Sequence, residues 1–354
     1  MSAGSGDKRL KPRSLVPQPV AVVADWDADG ATSAAMIYYA QYYRKMFPLK
    51  GRHEVVLEPA GPRSFPDTVA GILSQGQCPE ALAVLDIPFT PKVYEALAEY
   101  ARLCPGSRII YVDHHFSTLY NSKRLYELTE EVFLGHKPAA ILTFQLLRSL
   151  GVRHLTPRLT AFMKAVGVLE RSGKPITEAE ARVVKLAASI SKASTVLRDK
   201  ELWRKLVRWL ASPLPQDAPI DLTTVERVVQ VAEKSDKEIM EKARDLAFSA
   251  RRLGYIKFID ARRRWRGRGA SALASKLYKV LRQPVALLVQ RDDGALLLII
   301  RSRGRGAYRV AVGLMKEGIA ENMGGHGGLA VVKLREDVDM ARLEQALRRL
   351  SLRL

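Results

Sequence analysis

Short apolar runs alternate with longer amphipathic stretches over the first part of the chain. PVAVVAD (19–25) is apolar at successive positions and reads as a strand buried on both faces. ATSAAMIYYAQYYRKMF (31–47) follows as a helix, with Thr32 or Ser33 placed to serve its N-terminus. EALAVLDIPF (80–89) reads as a second strand and PKVYEALAEYARLC (91–104) as a helix. SRIIYVDHHF (107–116) reads as a third strand, and AAILTFQLLRSLG (139–151) as a helix closed by Gly151. Strands alternating with helices predict an α/β fold built on a parallel sheet.

The pattern then changes. From about Thr156 to Arg252 it is helical and charge-rich, broken by SPLPQDAP (212–219). From Leu253 onward YIKFIDA, PVALLVQ, GALLLIIRSR and AYRVAV all look strand-like, with a helix at GASALASKLYKVLR and an amphipathic helix at MARLEQALRRLSL. The organisation this implies is a basic disordered tail over 1–18, a first unit over 19–175, a helical connector over 176–252 and a smaller α/β unit over 253–354. No tandem repeat is present.

Composition narrows the function classes. A chain of 354 residues is long enough for two domains, and 47% hydrophobic residues is ordinary for a globular protein. No apolar stretch is long enough to span a bilayer, and the first residues, MSAGSGDKRLKPRSLVPQP, lack the apolar core of a signal peptide. The expected location is the cytoplasm. The two cysteines, Cys78 and Cys104, form no CxxC, so neither a disulfide nor a thiolate metal site is expected. Asparagine occurs only at Asn121 and Asn322, a depletion that hints at a thermophile. A net charge of +20 and a pI near 10.0 point to a polyanionic partner, nucleic acid before an acidic membrane surface.

The acids carry the chemistry. Asp25, Asp27 and Asp29 follow the first strand, Asp86 ends the next, and Asp113, His114 and His115 end the third. In open α/β sheets ligands bind outside the carboxyl ends of strands, so this topology gathers five acids and two imidazoles at one edge. Carboxylates with imidazole and no thiolate suit Mn²⁺ or Mg²⁺, and imidazole tilts the choice to Mn²⁺. Several acids could hold two ions bridged by one carboxylate, an arrangement suited to phosphoester hydrolysis. No GxxxxGK[ST], GxSxG or catalytic-cysteine pattern is present.

DWDADGATS, LDIPF and VDHHF resemble the first three motifs of the DHH phosphoesterases, closest to the RecJ-type nucleases of archaeal kind. GASALASKLYKVLRQPVALLV, IIRSRG and GGHGG follow the order of the DHH-associated domain. The resemblance covers 20–175 and 253–350. It implies a DHH domain and a DHH-associated domain around an active cleft. Asp27, Asp29 and Asp86 would be ligands, Asp86 the bridging one, with Asp25 ligating or nearby. His114 and Asp113 would also ligate, while His115 would ligate or contact the scissile phosphate. The family's fourth motif, normally an Asp, falls at AVGVLERSG, where strict spacing lands on Arg171 and one residue of slippage on Glu170. Glu170 is the candidate replacement.

In the second unit, Gly324, Gly325, His326 and Gly327 would offer N–H groups and an imidazole to a phosphate, with Arg301, Ser302 and Arg303 beside them. The arginine-rich loop DARRRWRGRG adds Arg262, Arg263, Arg264, Arg266 and Arg268 for phosphates and Trp265 for base stacking. The implied activity is a metal-dependent exonuclease on single-stranded DNA or RNA. A phosphoesterase of short oligonucleotides or cyclic dinucleotides, and a catalytically impaired subunit that binds nucleic acid or a helicase, are the alternatives. By resemblance only, replication or repair proteins are plausible partners.

Overall fold

The structure is a computed structural model. It describes residues 19–74, 78–129, 131–171, 174–214, 216, 220–265, 269–326 and 328–353. The 1–18 tail, Arg266, Arg268 and Gly327 lie outside the described residues.

The first unit opens with β1 (Val20–Ala24) and α1 (Ala28–Tyr38), which continues as a π turn over Tyr39–Tyr43. It goes on through β2 (Val55–Pro59), α2 (Phe65–Leu73), β3 (Ala81–Leu85), α3 (Pro91–Leu103), β4 (Arg108–Asp113) and two short helices, α4 (Phe116–Tyr120) and α5 (Ser122–Tyr126). β5 (Glu131–Leu134), α6 (Ala139–Ser149) and α7 (Pro157–Arg171) follow. The five strands form one parallel sheet in the order β2-β1-β3-β4-β5. Alternate side chains point to opposite faces of a strand, and both faces are covered here. Val20, Val22, Leu85 and Val112 pack with α1, α6 and α7, whereas Val23, Val84 and Tyr111 pack with α2 and α3.

Two strands, β2 and β5, are additions to those the pattern predicts. The first helix also begins earlier than expected. Asp27 is its N-cap, accepting the N–H groups of Asp29 and Gly30, so Thr32 and Ser33 sit within the helix.

The expected connector is α8 (Glu178–Leu197), α9 (Lys200–Ala211) and α10 (Leu222–Ala247). Ala187, Ile190, Trp203, Leu206 and Leu210 of α8 and α9 are buried in the core of the first sheet. α10 runs from that core, at Val228, to the core of the second sheet, at Ile239, Ala243 and Leu246.

The second sheet has six strands in the order β10-β11-β9-β8-β7-β6: β6 (Arg251–Leu253), β7 (Ile256–Asp260), β8 (Val285–Gln290), β9 (Leu296–Arg301), β10 (Ala320–His326) and β11 (Leu329–Leu334). Only β7–β8 pair in parallel; the other neighbours are antiparallel. α10 and α11 (Ala270–Leu281) cover one face, and α12 (Gly306–Lys316) and α13 (Met340–Leu350) the other. AYRVAV, expected as a strand, lies in α12. Its buried Ala307, Val310, Ala311 and Leu314 recur at the spacing of one helix face, and the Ser302 hydroxyl accepts the Ala307 N–H at 2.7 Å.

Cys78 and Cys104 form a disulfide with Cα atoms 5.6 Å apart, contrary to expectation. Cys78 precedes β3 and Cys104 ends α3, so the strand-helix reversal returns the chain to one sheet edge. A separation of 26 residues carries no trace of that return in the sequence.

Candidate metal centre and cleft

The carboxyl ends of β1, β3 and β4 lie side by side, because parallel pairing puts all strand ends of one kind at one edge. Each tip places its polar groups by a separate device. At β1, Asp27 is held by capping α1, and the Asp25 carboxylate accepts the Trp26 N–H at 2.8 Å. Gly30 permits the close return of α1 over β1: a Cβ there would stand 2.4 Å from the Asp25 carbonyl oxygen. Asp29 is 2% exposed and accepts the Ala139 and Ala140 N–H groups at 2.8 and 2.7 Å, at the start of α6. That helix end supplies partial positive charge to an acid far away in sequence.

Asp86, just after β3, adopts φ +59°, in the left-handed region. Asp tolerates that region better than most residues, and its use here turns a buried carboxylate into the cluster. Asp86 Oδ1 lies 3.3 Å from His114 Nε2 and 3.9 Å from His115 Nδ1, and it accepts no hydrogen bond among the described residues. His114 Nε2 is also 3.6 Å from Asp29 Oδ2. At β4, Asp113 is fully buried, accepts from the Thr118 hydroxyl, and lies 2.8 Å from His115 Nδ1.

Asp86, His114 and His115 each offer a ligand atom within 4.8 Å of the others, a spacing that suits a single ion. The electrostatics are those of a cluster short of positive charge. Burial, then repulsion from Asp29, Asp27, Asp113 and Asp25, pushes the Asp86 carboxyl well above the usual range. Burial followed by Asp27 raises Asp25 to about 7, and burial with Asp27 and Glu170 raises Asp29. Asp113 goes the other way. Burial alone would raise it, but His115, through charge and hydrogen bond, with His114 and Thr118, brings it below the ordinary value. His115 is raised to about 9: burial disfavours its cation, and Asp113, Asp25 and Asp27 outweigh burial.

Glu170 lies on α7 and joins Asp27 and Asp29 in lining one 320 Å³ cavity. Burial, then Asp27, raises it to about 7, against the pull of His115 and Arg301. Arg171, the strict-spacing alternative, follows it at the end of α7.

Arg301, at the end of β9, brings a charge from the second unit to this neighbourhood. It is attracted to Glu170, sits 5.9 Å from the Tyr278 ring centroid, and its buried Nε donates to no group among the described residues. Gly324, Gly325 and His326 are not a free loop but the end of β10, paired with Val331, Ala330 and Leu329. Gly325 has φ +116°, and a Cβ would stand 2.3 Å from the Leu329 carbonyl oxygen, so glycine is required. Ser302 is 4% exposed, with its hydroxyl engaged at the start of α12, while Arg303 is exposed.

The arginine loop is more self-contained than its composition suggests. Arg262 pairs with Asp260 at 2.6 Å and Arg264 with Asp245 at 3.0 Å, while Arg263 is exposed. Trp265 packs partly buried beside the α10–α11 core instead of standing in solvent. One neighbour of the acids had no sequence signal. Arg198, at the end of α8, lies 5.0 Å from the Trp26 ring centroid and draws Asp25 toward its ionised form.

No protein-family model and no curated protein sequence matches the chain. Solved structures do. A DHH domain from a protein assigned to a family of ribosomal proteins superposes over 95% of this chain and 87% of its own, with TM-score 0.66 and 13% identity. This chain has the DHH, RecJ-like fold. RecJ of Thermus thermophilus, solved with Mn²⁺, matches over 96% of this chain at TM-score 0.62 and 17% identity, and the match spans 52% of RecJ. A pGpG-specific phosphodiesterase from Vibrio cholerae matches over 95% of this chain and 100% of its own, with TM-score 0.51 and 14% identity. Among the described residues, no helix is long and apolar enough to cross a membrane.

Proposed function

We propose that this chain is a metal-dependent phosphodiesterase that releases nucleotides from ends of single-stranded DNA or RNA. The observation that carries it is the buried Asp86 oxygen that accepts no hydrogen bond among the described residues, faced by His114 and His115, amid acids pushed toward protonation. Orphaned buried acceptors are rare, and a divalent cation would satisfy this one. Asp86, His114 and His115 would hold the ion, with Asp25, Asp27 and Asp29 as further carboxylates and Glu170 in place of the fourth-motif acid. Mn²⁺ suits this donor set better than Mg²⁺, and the acids leave room for one ion or two. When bound, such an ion supplies a Lewis acid that lowers the pKa of a water and neutralises phosphate oxygens.

The chain's own groups do the rest. Asp113 fixes the His115 ring through its 2.8 Å contact, so that imidazole is held toward the cluster. Asp29 is locked to the start of α6, which keeps the tip of β1 rigid. Arg301 brings a guanidinium to the Glu170 side of the cleft, where it would pair with a phosphate. The chain's +20 charge supports a polyanionic substrate.

The likeness to a pGpG phosphodiesterase over that enzyme's full length favours a second reading, hydrolysis of a dinucleotide. End-labelled single-stranded DNA, RNA and a dinucleotide, each with Mn²⁺ or a chelator, separate the two. Mononucleotide release from the strands with Mn²⁺ alone is the expected result. Turnover of the dinucleotide only would favour the second reading, and tight binding without turnover would leave a nucleic-acid-binding subunit.

A further inference from the structure

A second cavity, of 360 Å³, lies between the first unit and the C-terminal unit. Its wall comes from the start of α3, from α4 and α5, from the end of α12, and from β10 just before Gly324. Both asparagines of the chain line it: Asn121 from the first unit and Asn322 from the second. A sequence of 354 residues that otherwise avoids asparagine places both in one cavity, contributed by different sheets.

Their hydrogen bonds commit opposite halves of the two amides. Asn121 donates its Nδ2 to the Ser117 carbonyl at 2.8 Å, which leaves Oδ1 as an acceptor. Asn322 Oδ1 accepts the Met323 N–H at 2.7 Å, which leaves Nδ2 as a donor. One donor and one acceptor are what the edge of a nucleobase requires. Flat apolar surface is present too. Tyr94 lies in the wall with the Arg124 guanidinium 4.3 Å from its ring centroid, and Tyr120 is 69% exposed. Arg124 and Lys316 bring positive charge, whereas the acid at the rim, Glu321, is already paired with Lys333 at 2.5 Å. The volume falls in the range of small-ligand sites, roughly 300–1,000 Å³.

We infer that this cavity binds a base of a single strand, stacked on the exposed Tyr120 and read at its edge by Asn121 and Asn322. The protein then has a base preference, set at a place separate from the acid cluster. The inference rests on the proposed function only for the identity of the strand.

The test is equilibrium binding by the full chain in chelator, using short homopolymers of each base and an abasic strand of equal length. Base stacking and edge contacts both add affinity, so at least one homopolymer should bind about tenfold or more tighter than the abasic strand. Tyr120→Ala should remove most of that gap. Asn121→Ala with Asn322→Ala should level the homopolymers about tenfold and leave abasic binding unchanged. Because Asn121 also supports the α4–α5 turn, melting curves accompany each variant, and the exposed Tyr120 keeps the test valid if the asparagine variants unfold.

Equal binding of abasic and base-bearing strands would overturn the inference. So would a base preference that survives the folded double variant. Nucleoside monophosphates binding as tightly as the strands would assign the cavity to free nucleotide instead. Hydrolysis with Mn²⁺, followed separately, can fail without altering these readings.

Discussion

The two sheets carry opposite chemistry at their working edges, and the difference follows from how their strands pair. The first is wholly parallel, so the ends of β1, β3 and β4 converge and crowd carboxylates beyond what the unliganded protein holds ionised. The second is mostly antiparallel, so strand ends alternate, and it presents one half-buried arginine and a glycine-rich strand end. Parallel pairing concentrates side-chain charge for a cation, whereas the antiparallel β10–β11 hairpin brings a glycine-rich strand end to the same sheet as Arg301. A cleft with one wall of each kind suits a phosphodiester, whose attack and charge must be managed from opposite sides.

The sharpest way to break this contrast is on the acidic wall. Asp86→Ala should reduce hydrolysis by at least about a hundredfold while single-strand binding changes little. Equal loss of both would make Asp86 structural and erase the division of labour. On the other wall, Arg301→Ala should weaken binding of phosphate-bearing substrate about tenfold or more, the usual worth of a charged hydrogen bond. Its effect should appear mainly in KM. Glu170→Ala sharpens the picture at the boundary: lost activity or Mn²⁺ affinity would assign it to the metal, and wild-type behaviour would exclude it.

The candidate acids, Arg301 and the glycine-rich segment were all legible in the sequence, whereas several of the elements and neighbours around them were not. Apolar runs ending in Asp25, Asp86 and Asp113 located three neighbouring strand tips, because buried parallel strands are almost uniformly apolar. The pattern missed β2 and β5, since EVVLEP and EVFL are short and mix acids with apolar residues. It misread AYRVAV because six mostly apolar residues have no resolvable period; only the longer Ala307–Leu314 spacing is helical. Arg198 and the Cys78–Cys104 bridge were invisible because both depend on where the chain returns, not on local spacing.

Two smaller effects probe the same contrast through stability. Asp25 and Glu170 rise from 3.8 and 4.5 to about 7 on folding. A raised folded-state value contributes stability that is complete below the unfolded value and lost as pH rises through the folded one. The metal-free protein should therefore melt at progressively lower temperature from pH about 4 to above about 7, and Mn²⁺ should reverse the loss most strongly at the upper end. A melting temperature in chelator that is flat over this window would contradict the unbalanced acid cluster. The disulfide lies at the other edge of the first sheet, away from the cleft. Its reduction should lower stability by about 3 kcal/mol, seen as a fall of several degrees in melting temperature, and leave hydrolysis unchanged.

The central claim is that the crowded acids and imidazoles exist to hold a divalent cation, and calorimetric titration of the full chain with Mn²⁺ tests it most directly. Saturable binding that is abolished by Asp86→Ala and retained by Arg301→Ala is the predicted result. A folded wild-type protein that takes up no Mn²⁺ at millimolar concentration, or binds it equally well without Asp86, would contradict the account.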